Sequence, residues 1–297
     1  MLGTDRALKA LRSFILMGGG ELKLFGGEPL LEADTVRAVI AQASTDPQIS
    51  RVYLSTNGLG LDEAWLALVR DTPKLVLTLS LDGRPGDHRR FRRALGQTPD
   101  AYDHLMGLLP SLLRTPRLVV TMTIPPASAD SVLANFQHLR GLGFHRFNLL
   151  PGYYLPWRPE QLAALRRGFD ALGDEVLAAW EAGQSLYLRN LFTRAPTPFF
   201  NTGVIVDADG RVHPSNVGLS GKLDHLLERT SCGTVEDWPS PEVLATKANE
   251  INPLLESVLE PEILASTRAV DSELTALVNR LAPAWFRHRR MHRRPEA

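Results

Sequence analysis

The chain has 297 residues, with 33 lysines and arginines balanced by 33 aspartates and glutamates, and a single cysteine, Cys232. This length fits one large α/β domain or a medium domain with an appendage. The zero net charge argues against general polyanion binding, and one cysteine excludes an internal disulfide or a cluster held by several thiolates of this chain. Apolar runs fall short of the roughly 20 residues that span a bilayer. We therefore expect a cytoplasmic protein without a membrane or nucleic-acid partner.

Short apolar segments alternate with helical segments through the first two thirds of the chain. After an amphipathic helix at the start, strands are predicted over 22–27, 51–58, 74–83, 117–126 and 145–154. Apolar residues three and four apart predict helices over 33–44, 62–71, 100–114, 128–142 and 158–183. Strands this short and apolar are typical of a parallel sheet covered by helices. The sequence therefore predicts an α/β fold.

The last third of the chain has a different pattern, and we place a domain boundary near residue 184. Segments SLYLRN and 201–216 are interpreted as strands, and Asp209-Gly210 is a hairpin turn signal between alternating apolar residues. Helices are predicted over about 241–258 and 261–281, ahead of a basic tail. The predicted domains are therefore 1–183, an α/β domain, and 184–297, a small α+β extension.

Small and polar residues stand where the first three predicted strands end. The strand ends are Gly26-Gly27-Glu28-Pro29, Ser55-Thr56-Asn57-Gly58 and Ser80-Leu81-Asp82-Gly83. Ligands of parallel α/β folds bind at the carboxyl ends of strands, and glycines let a ligand approach the backbone. Any one of these segments alone could be an ordinary turn. The Gly-Gly-Glu-Pro tetrapeptide is the more specific signal, and it predicts a ligand-binding loop.

Together these segments resemble the radical S-adenosylmethionine (radical SAM) family over about residues 4–183. A Gly-Gly-Glu-Pro-type motif ends the second barrel strand of that family and receives the amino group of SAM. LTLSLDGRPGDHRRFR and FNLLPGYYLPW resemble later segments of the branch that modifies peptides and proteins. The hairpin over 201–216 resembles the auxiliary-cluster extension called SPASM or twitch. The resemblance implies a partial (β/α) barrel of the TIM type, SAM as cofactor, and a peptide or protein substrate.

The resemblance also implies which residues bind the cofactor. Those expected to contact the amino group of SAM are Gly26, Gly27, Glu28 and Pro29. Weaker candidates for the rest of the SAM site or for the substrate are Ser55, Asn57, Ser80 and Asp82.

The family's Cys-x3-Cys-x2-Cys motif, which holds a [4Fe–4S] iron–sulfur cluster, is absent from this sequence. Met1 opens what resembles the helix after that motif, so we expect a barrel of five strands that lacks its first one. The strand of Leu22 to Phe25 would then expose an unpaired edge. In the extension, Ser215, and Phe200 or Asn201, stand where auxiliary cysteines are found. No metal site is predicted.

Two interpretations of the function remain open. In the first, this is a truncated or mis-started radical SAM enzyme whose complete form would cleave SAM reductively to modify a substrate. In the second, it is a cluster-free, non-catalytic paralogue that acts as a binding or scaffold partner, for example of an active paralogue. An unrelated (β/α) barrel enzyme is disfavoured because the Gly-Gly-Glu-Pro and Ser-x-Asp-Gly signals occur together.

Three other groups of residues allow a functional and a structural interpretation. The basic segment 88–93 could face a substrate or be a solvated helix start. Tyr153, Tyr154 and Trp157 could line a pocket mouth or pack in the interior. His288 and His292 have the spacing of a helical metal pair, but the surrounding arginines disfavour a metal.

Overall fold

A computed structural model describes residues 2–92, 100–192, 202–216 and 223–291. Its strands are β1 (Gly20–Leu24), β2 (Ile49–Thr56), β3 (Leu75–Ser80), β4 (Leu118–Ile124), β5 (Arg146–Pro151), β6 (Tyr187–Leu188), β7 (Thr202–Val206), β8 (Arg211–Ser215) and β9 (Gly233–Thr234). Its α-helices are α1 (Thr4–Leu16), α2 (Ala33–Thr45), α3 (Glu63–Asp71), α4 (Pro85–Phe91), α5 (Ala101–Gly107), α6 (Leu109–Arg114), α7 (Val132–Gly141), α8 (Pro159–Glu181), α9 (Leu227–Thr230), α10 (Pro241–Val258) and α11 (Pro261–Met291).

The main sheet has six strands in the order β1-β2-β3-β4-β5-β6, the sequential order that a chain of βα units produces. Parallel pairing joins β1 to β2, β4 to β5 and β5 to β6. The residues of β3 and β4 are almost all buried, which explains their continuous apolar sequences. The predicted α/β class is confirmed.

The sheet has one more strand than the five predicted from the sequence. The sixth is β6, where Tyr187 pairs with Arg146 and Leu188 with Phe147. The sequence analysis interpreted this segment, within SLYLRN, as a strand of the C-terminal extension, because the sequence of so short a strand does not show which sheet it joins. The indole of Trp180 donates a hydrogen bond to the Leu186 carbonyl at 2.8 Å and so holds the chain where β6 begins.

The helices follow the predicted segments with small differences. Residues 100–114 form two helices, α5 and α6, and the predicted helix over 128–142 begins with a 3-10 helix, Pro126–Ser131, before α7. The last helix, α11, extends to Met291 and includes Pro283. None of the helices in the described ranges is both long and apolar enough to cross a membrane.

Residue contacts divide the chain into two compact units, both discontinuous in sequence. The first unit comprises Met1–Thr78, Thr115–Arg117 and Ala195–Leu259. The second comprises Leu79–Arg114, Leu118–Arg194 and Glu260–Ala297. The domain boundary near residue 184 stays a prediction.

The first unit contains the hairpin signalled by Asp209-Gly210. Strands β7 and β8 pair antiparallel, and Gly210 takes a φ of +87° while donating its N–H to the Asp207 carbonyl at 2.9 Å. Arg6 of α1 donates to Glu236 at 2.8 and 3.0 Å and to the Asp209 carbonyl at 3.0 Å. These bonds fasten α1 to the hairpin within this unit.

Candidate cofactor-binding site

The carboxylate of Glu28 is held in place at the end of β1. Its Oε1 accepts hydrogen bonds from the Thr56 hydroxyl at 2.6 Å and the Leu30 N–H at 3.2 Å. Its Oε2 accepts one from the Asn57 N–H at 2.7 Å. A carboxylate offers about four acceptor positions, so one position on Oε2 is left for a ligand. Glu28 is half-buried, and a ligand can therefore reach it.

The two glycines before Glu28 leave the backbone open. Gly26 and Gly27 are exposed, and a Cβ atom built on either would meet no atom within 4 Å. Gly26 has a φ of +131°, which a residue with a side chain rarely adopts. Pro29 begins a 3-10 helix, Pro29–Glu32, and turns the chain away after the carboxylate. A bulky ligand can thus approach the backbone of this loop beside a fixed negative charge.

The end of β2 adds Ser55 and Asn57, both half-buried. The Asn57 side chain accepts the Leu59 N–H at 2.8 Å, which shapes the turn, while its backbone N–H contacts Glu28. The sequence analysis missed Thr56, which is 3% exposed and fixes the Glu28 carboxylate. The alternation of β2 was the available signal, because Val52, Leu54 and Thr56 share its buried face.

In the second unit, Asp82 lies in a different environment. It is 6% exposed, and its carboxylate accepts two hydrogen bonds from Arg92, at 2.6 and 3.1 Å, and one from the Thr123 N–H at 2.9 Å. Ser80, at the end of β3, is half-buried. The bidentate Arg92 and the Thr123 N–H occupy most of the acceptor positions of the Asp82 carboxylate, so few of these positions are left for a ligand.

His88 is wholly buried beside Asp82. Its Nδ1 accepts the Asp82 N–H at 3.2 Å, so the ring proton is on Nε2, which has no hydrogen-bond partner in the described part of the chain. Burial lowers the pKa of His88 below its ordinary value, because the charged form would lose its hydration. The ring lies 5.8 Å from that of Tyr102, and it therefore acts as a neutral core residue.

The basic segment 88–93 is mostly neutralised by nearby acids. Arg89 forms ion pairs with Asp100 and with Asp103, the latter at 2.7 Å, and Arg92 pairs with Asp82. Arg90 is exposed, and Arg93 lies outside the described residues. These contacts favour the structural interpretation of the segment over a substrate-facing one.

The loop after β5 packs against α11. This packing shows whether the aromatic residues of the loop line a pocket mouth or pack in the interior. Trp157 is 4% exposed and donates its indole N–H to the Gly152 carbonyl at 2.7 Å and its backbone N–H to Ser266 at 3.0 Å. Tyr153 donates to Asp271 at 3.4 Å, and burial raises the pKa of the Tyr153 phenol. Trp157 is therefore a packing residue, and Tyr153 is tied to α11.

The residues of this chain do not fit an iron–sulfur cluster. Cys232 donates its S–H to the Val212 carbonyl at 3.2 Å, and burial raises the pKa of its thiol, which disfavours the thiolate that iron requires. His288 contacts the Trp180 carbonyl at 3.1 Å, and His292 lies outside the described residues. Among the described residues, no group of three or more histidines, cysteines, aspartates and glutamates could hold a metal ion.

No protein-family model matches the sequence, but curated proteins do. GTP 3',8-cyclase of Klebsiella pneumoniae is 26% identical over 160 residues, which cover 53% of this chain and 42% of the cyclase. Molybdenum cofactor biosynthesis protein 1 of Drosophila melanogaster is 34% identical over 70 residues, which cover 24% of this chain and 12% of that protein. The chain thus spans less than half the length of these relatives.

Solved structures share the fold. Native anSMEcpe with bound AdoMet, that is S-adenosylmethionine, superposes with a TM-score of 0.66 at 16% identity, covering 83% of this chain and 73% of that one. The same protein with AdoMet and the Cp18Cys peptide gives a TM-score of 0.70 at 14% identity, covering 97% and 91%. The sequence similarity to the cyclases and the fold shared with these AdoMet-bound structures agree with the resemblance to the radical SAM family.

Proposed function

We propose that this chain is the SAM-binding part of a radical SAM protein, whose complete form cleaves SAM reductively to modify a substrate such as a peptide or protein. The Gly26 to Pro29 loop would hold the amino group of SAM. Ser55 and Asn57 would contribute the polar wall at the end of β2. Ser80 is retained as a weaker candidate, and Asp82, whose charge Arg92 compensates, is expected to contribute least to binding.

The observation that carries this proposal is the state of Glu28. Three hydrogen bonds fix its carboxylate, and one acceptor position on Oε2 remains. An ammonium group is the natural partner of a fixed carboxylate with a free acceptor, because charge-assisted hydrogen bonds are the strong ones. The open space over Gly26 and Gly27 leaves room for the rest of the amino acid.

Reductive cleavage requires an iron–sulfur cluster, and the single thiol of this chain cannot hold one. The cluster ligands would have to come from polypeptide outside this sequence. The part of the function assigned to these residues is therefore binding and orienting SAM.

Isothermal titration of the purified chain with SAM tests this assignment. We expect SAM to bind and 5′-methylthioadenosine, which lacks the amino acid, to bind much more weakly. Glu28→Gln should lower the affinity for SAM about 10-fold, since a hydrogen bond to a charged group is worth about 1.5–3 kcal/mol.

The matched control is Glu21→Gln, which removes a carboxylate at the other end of β1 that accepts a hydrogen bond from Tyr53 at 2.9 Å. This variant should bind SAM as the unmodified chain does. A folded chain that shows no heat of binding with SAM, or an equal loss in both variants, would contradict the assignment.

A second candidate, a cluster-free binding or scaffold partner, is favoured by the C-terminal sheet. Strands β8 and β9 flank Cys232, whose N–H donates to the Val212 carbonyl at 2.9 Å, and Ser215 is 2% exposed. This sheet is held by ordinary protein contacts. The SAM titration separates the two candidates, because neither lets this chain hold a cluster by itself: a folded chain that binds no SAM would favour the scaffold.

A further inference from the structure

Aromatic side chains cluster towards the end of α11, within the second unit. The ring centroid of Trp285 lies 5.3 Å from that of Trp180, 5.8 Å from that of Phe192 and 6.4 Å from that of Tyr187. Phe286 is the next residue along the helix. We call the surface formed by Tyr187, Phe192, Trp285 and Phe286 the aromatic end.

The aromatic end is open to solvent. Phe192 is 41% exposed and Phe286 is 57% exposed, while Tyr187 and Trp285 are half-buried. Single exposed apolar residues are ordinary on a protein surface, whereas adjacent exposed ones mark interaction sites. Phe192 meets Trp285 edge to face, and Phe286 adjoins Trp285 in the helix. The exposed rings therefore form one surface and are not scattered.

Trp285 also carries a donor that lacks an acceptor. Its indole Nε1 is buried and has no hydrogen-bond partner among the described residues. The indoles of Trp157 and Trp180, by contrast, donate to the carbonyls of Gly152 at 2.7 Å and Leu186 at 2.8 Å. Buried donors in folded proteins nearly always have an acceptor. An occupant of the aromatic end with a carbonyl or carboxylate oxygen would supply one.

The charges at the aromatic end are mainly positive. Arg287 is exposed and follows Phe286. The guanidinium carbon of Arg146 lies 4.2 Å from the ring centroid of Tyr187. The sequence over 287–294 contains five arginines and no acidic residue. The excess of positive charge favours an acidic partner.

Two features of this region have a structural explanation, and the exposed rings do not. Arginines are favoured near the end of any helix, because they compensate the helix dipole. Glu181, the last residue of α8, adds one negative charge next to Trp180. Neither feature explains why exposed aromatic rings adjoin the arginines. Aromatic residues together with arginine are the residues enriched where proteins bind one another.

The aromatic end lies away from the strand ends at which parallel α/β folds bind small ligands. Arg146 is the first residue of β5, Tyr187 is the first residue of β6, and the two are paired. These are the amino ends of the strands, whereas cofactors and substrates bind at the carboxyl ends. A partner on this surface would leave the carboxyl ends of β5 and β6 open.

We propose that the aromatic end docks an acidic segment of a partner protein. Apolar side chains of the segment pack on the exposed rings, its carboxylates pair with Arg287, and one of its oxygens accepts the Trp285 indole N–H. Single-stranded nucleic acid fits less well, because bases need free aromatic faces. The Tyr187 ring is already stacked on that of Phe192, at 10° between planes, and has Arg146 over it. The proposal does not rest on SAM binding.

Fluorescence anisotropy with a labelled octapeptide of alternating glutamate and leucine tests the proposal on the purified chain. We expect saturable binding. Octapeptides of alternating lysine and leucine, which reverse the charge, and of alternating glutamate and serine, which remove the apolar side chains, should each bind about 10-fold more weakly. No binding of the first peptide at millimolar concentration, or equal binding of the glutamate and serine peptide, would overturn the proposal. Tighter binding of an octamer of uridylate would also overturn it, in favour of nucleic acid.

Two pairs of variants locate the binding site. Arg287→Glu should weaken the glutamate and leucine peptide several-fold, whereas Arg167→Glu should leave its affinity within about twofold. Arg167 is an exposed arginine of α8, about four turns before the end of that helix, and forms a 4.0 Å ion pair with Asp130. Phe286→Ser should also weaken the peptide, and Val243→Ser, at an exposed position of α10, should not. Equal effects within either pair would overturn the location.

The indole signals in a proton–nitrogen NMR spectrum supply the readout of docking. The chain has five tryptophans, and Trp285→Phe identifies the signal of Trp285. The peptide should move this signal downfield, because its proton enters a hydrogen bond, and should leave that of Trp157 unchanged. Binding without a change at Trp285 would overturn the docking geometry. A dimer of the free chain in sedimentation that Arg287→Glu dissociates would make a second copy the occupant and overturn the proposal.

Discussion

Glu28 and Asp82 are carboxylates of the same kind of position, each just after a strand of the parallel sheet, yet their surroundings differ. Glu28 accepts hydrogen bonds from one hydroxyl and two backbone N–H groups, all neutral donors. Asp82 is paired with the guanidinium of Arg92 and is almost fully buried. Glu28 keeps its full negative charge for a ligand, whereas the charge of Asp82 is already compensated.

A polar strand end thus becomes a binding site only when its charge remains uncompensated and accessible. Neutral donors orient a carboxylate without cancelling its charge, whereas a bidentate arginine does both. We therefore expect Asp82 to act in stability and Glu28 to act mainly in binding.

The largest expected effect is on stability in the second unit. Arg92→Leu would leave the buried Asp82 carboxylate without its cation, and breaking a buried pair in this way costs about 3–5 kcal/mol. Arg92 is itself about one quarter exposed, with 28% of its side chain accessible, so we expect the lower end of that range. Urea unfolding followed by circular dichroism measures it.

The control for this variant is Arg90→Leu, in helix α4, which ends just before Arg92. Arg90 is exposed, and within the described residues its contacts are the Ala127 carbonyl at 3.4 Å and the ring of Phe91. Its replacement should change the free energy of unfolding by less than about 0.5 kcal/mol. If both variants lost a similar amount of the free energy of unfolding, the ion pair with Asp82 would not set Arg92 apart from the solvated Arg90.

Glu28 and Asp82 should also differ in their contributions to SAM affinity. Glu28→Gln should weaken SAM binding about 10-fold, whereas Asp82→Asn should leave the affinity of the folded protein within about twofold. Titrations of both variants at a temperature where each is folded decide this. If Asp82→Asn weakened SAM as much as Glu28→Gln, the Asp82 carboxylate would belong to the cofactor site.

The smallest expected effect is a pH dependence that originates beside Asp82. Because the pKa of His88 is lowered in the folded chain, the unfolded chain binds a proton more readily at this residue. His88 thus lowers the free energy of unfolding as the pH falls below 6.5, its ordinary pKa. The nearby Asp82 raises the His88 pKa and Arg92 lowers it, so these two charges oppose one another.

Urea unfolding at pH 7.5 and at pH 5.5 measures this dependence. His88→Gln should reduce the difference in stability between the two pH values, whatever its effect at pH 7.5. His225→Gln, at an exposed position, should leave the difference unchanged. An unaltered pH dependence in His88→Gln would show that His88 does not bind its proton on unfolding.

Much of the fold could be predicted from local patterns. The apolar runs predicted β1 to β5 and the α/β class, and Asp209-Gly210 predicted the hairpin. The segment SLYLRN was predicted to be a strand, but its place beside β5 in the main sheet could not be predicted, because only the pairing of Tyr187 and Leu188 with β5 shows which sheet it joins. The aromatic loop after β5 was ambiguous for the same reason, since its partner, Ser266, is more than 100 residues away in sequence.

The candidate site, like the fold, has properties that the sequence determines and properties that depend on tertiary contacts. The sequence by itself determined that a Gly-Gly-Glu-Pro loop ends the first strand of an α/β sheet and that one cysteine cannot hold a cluster, because these properties depend on residue type and order. Only the tertiary structure decided that Thr56 and Asn57 orient Glu28 and that Arg92 neutralises Asp82. The reason is physical: the hydrogen-bond and ion-pair partners of a side chain come from residues that are separated in the chain, and folding alone brings them together.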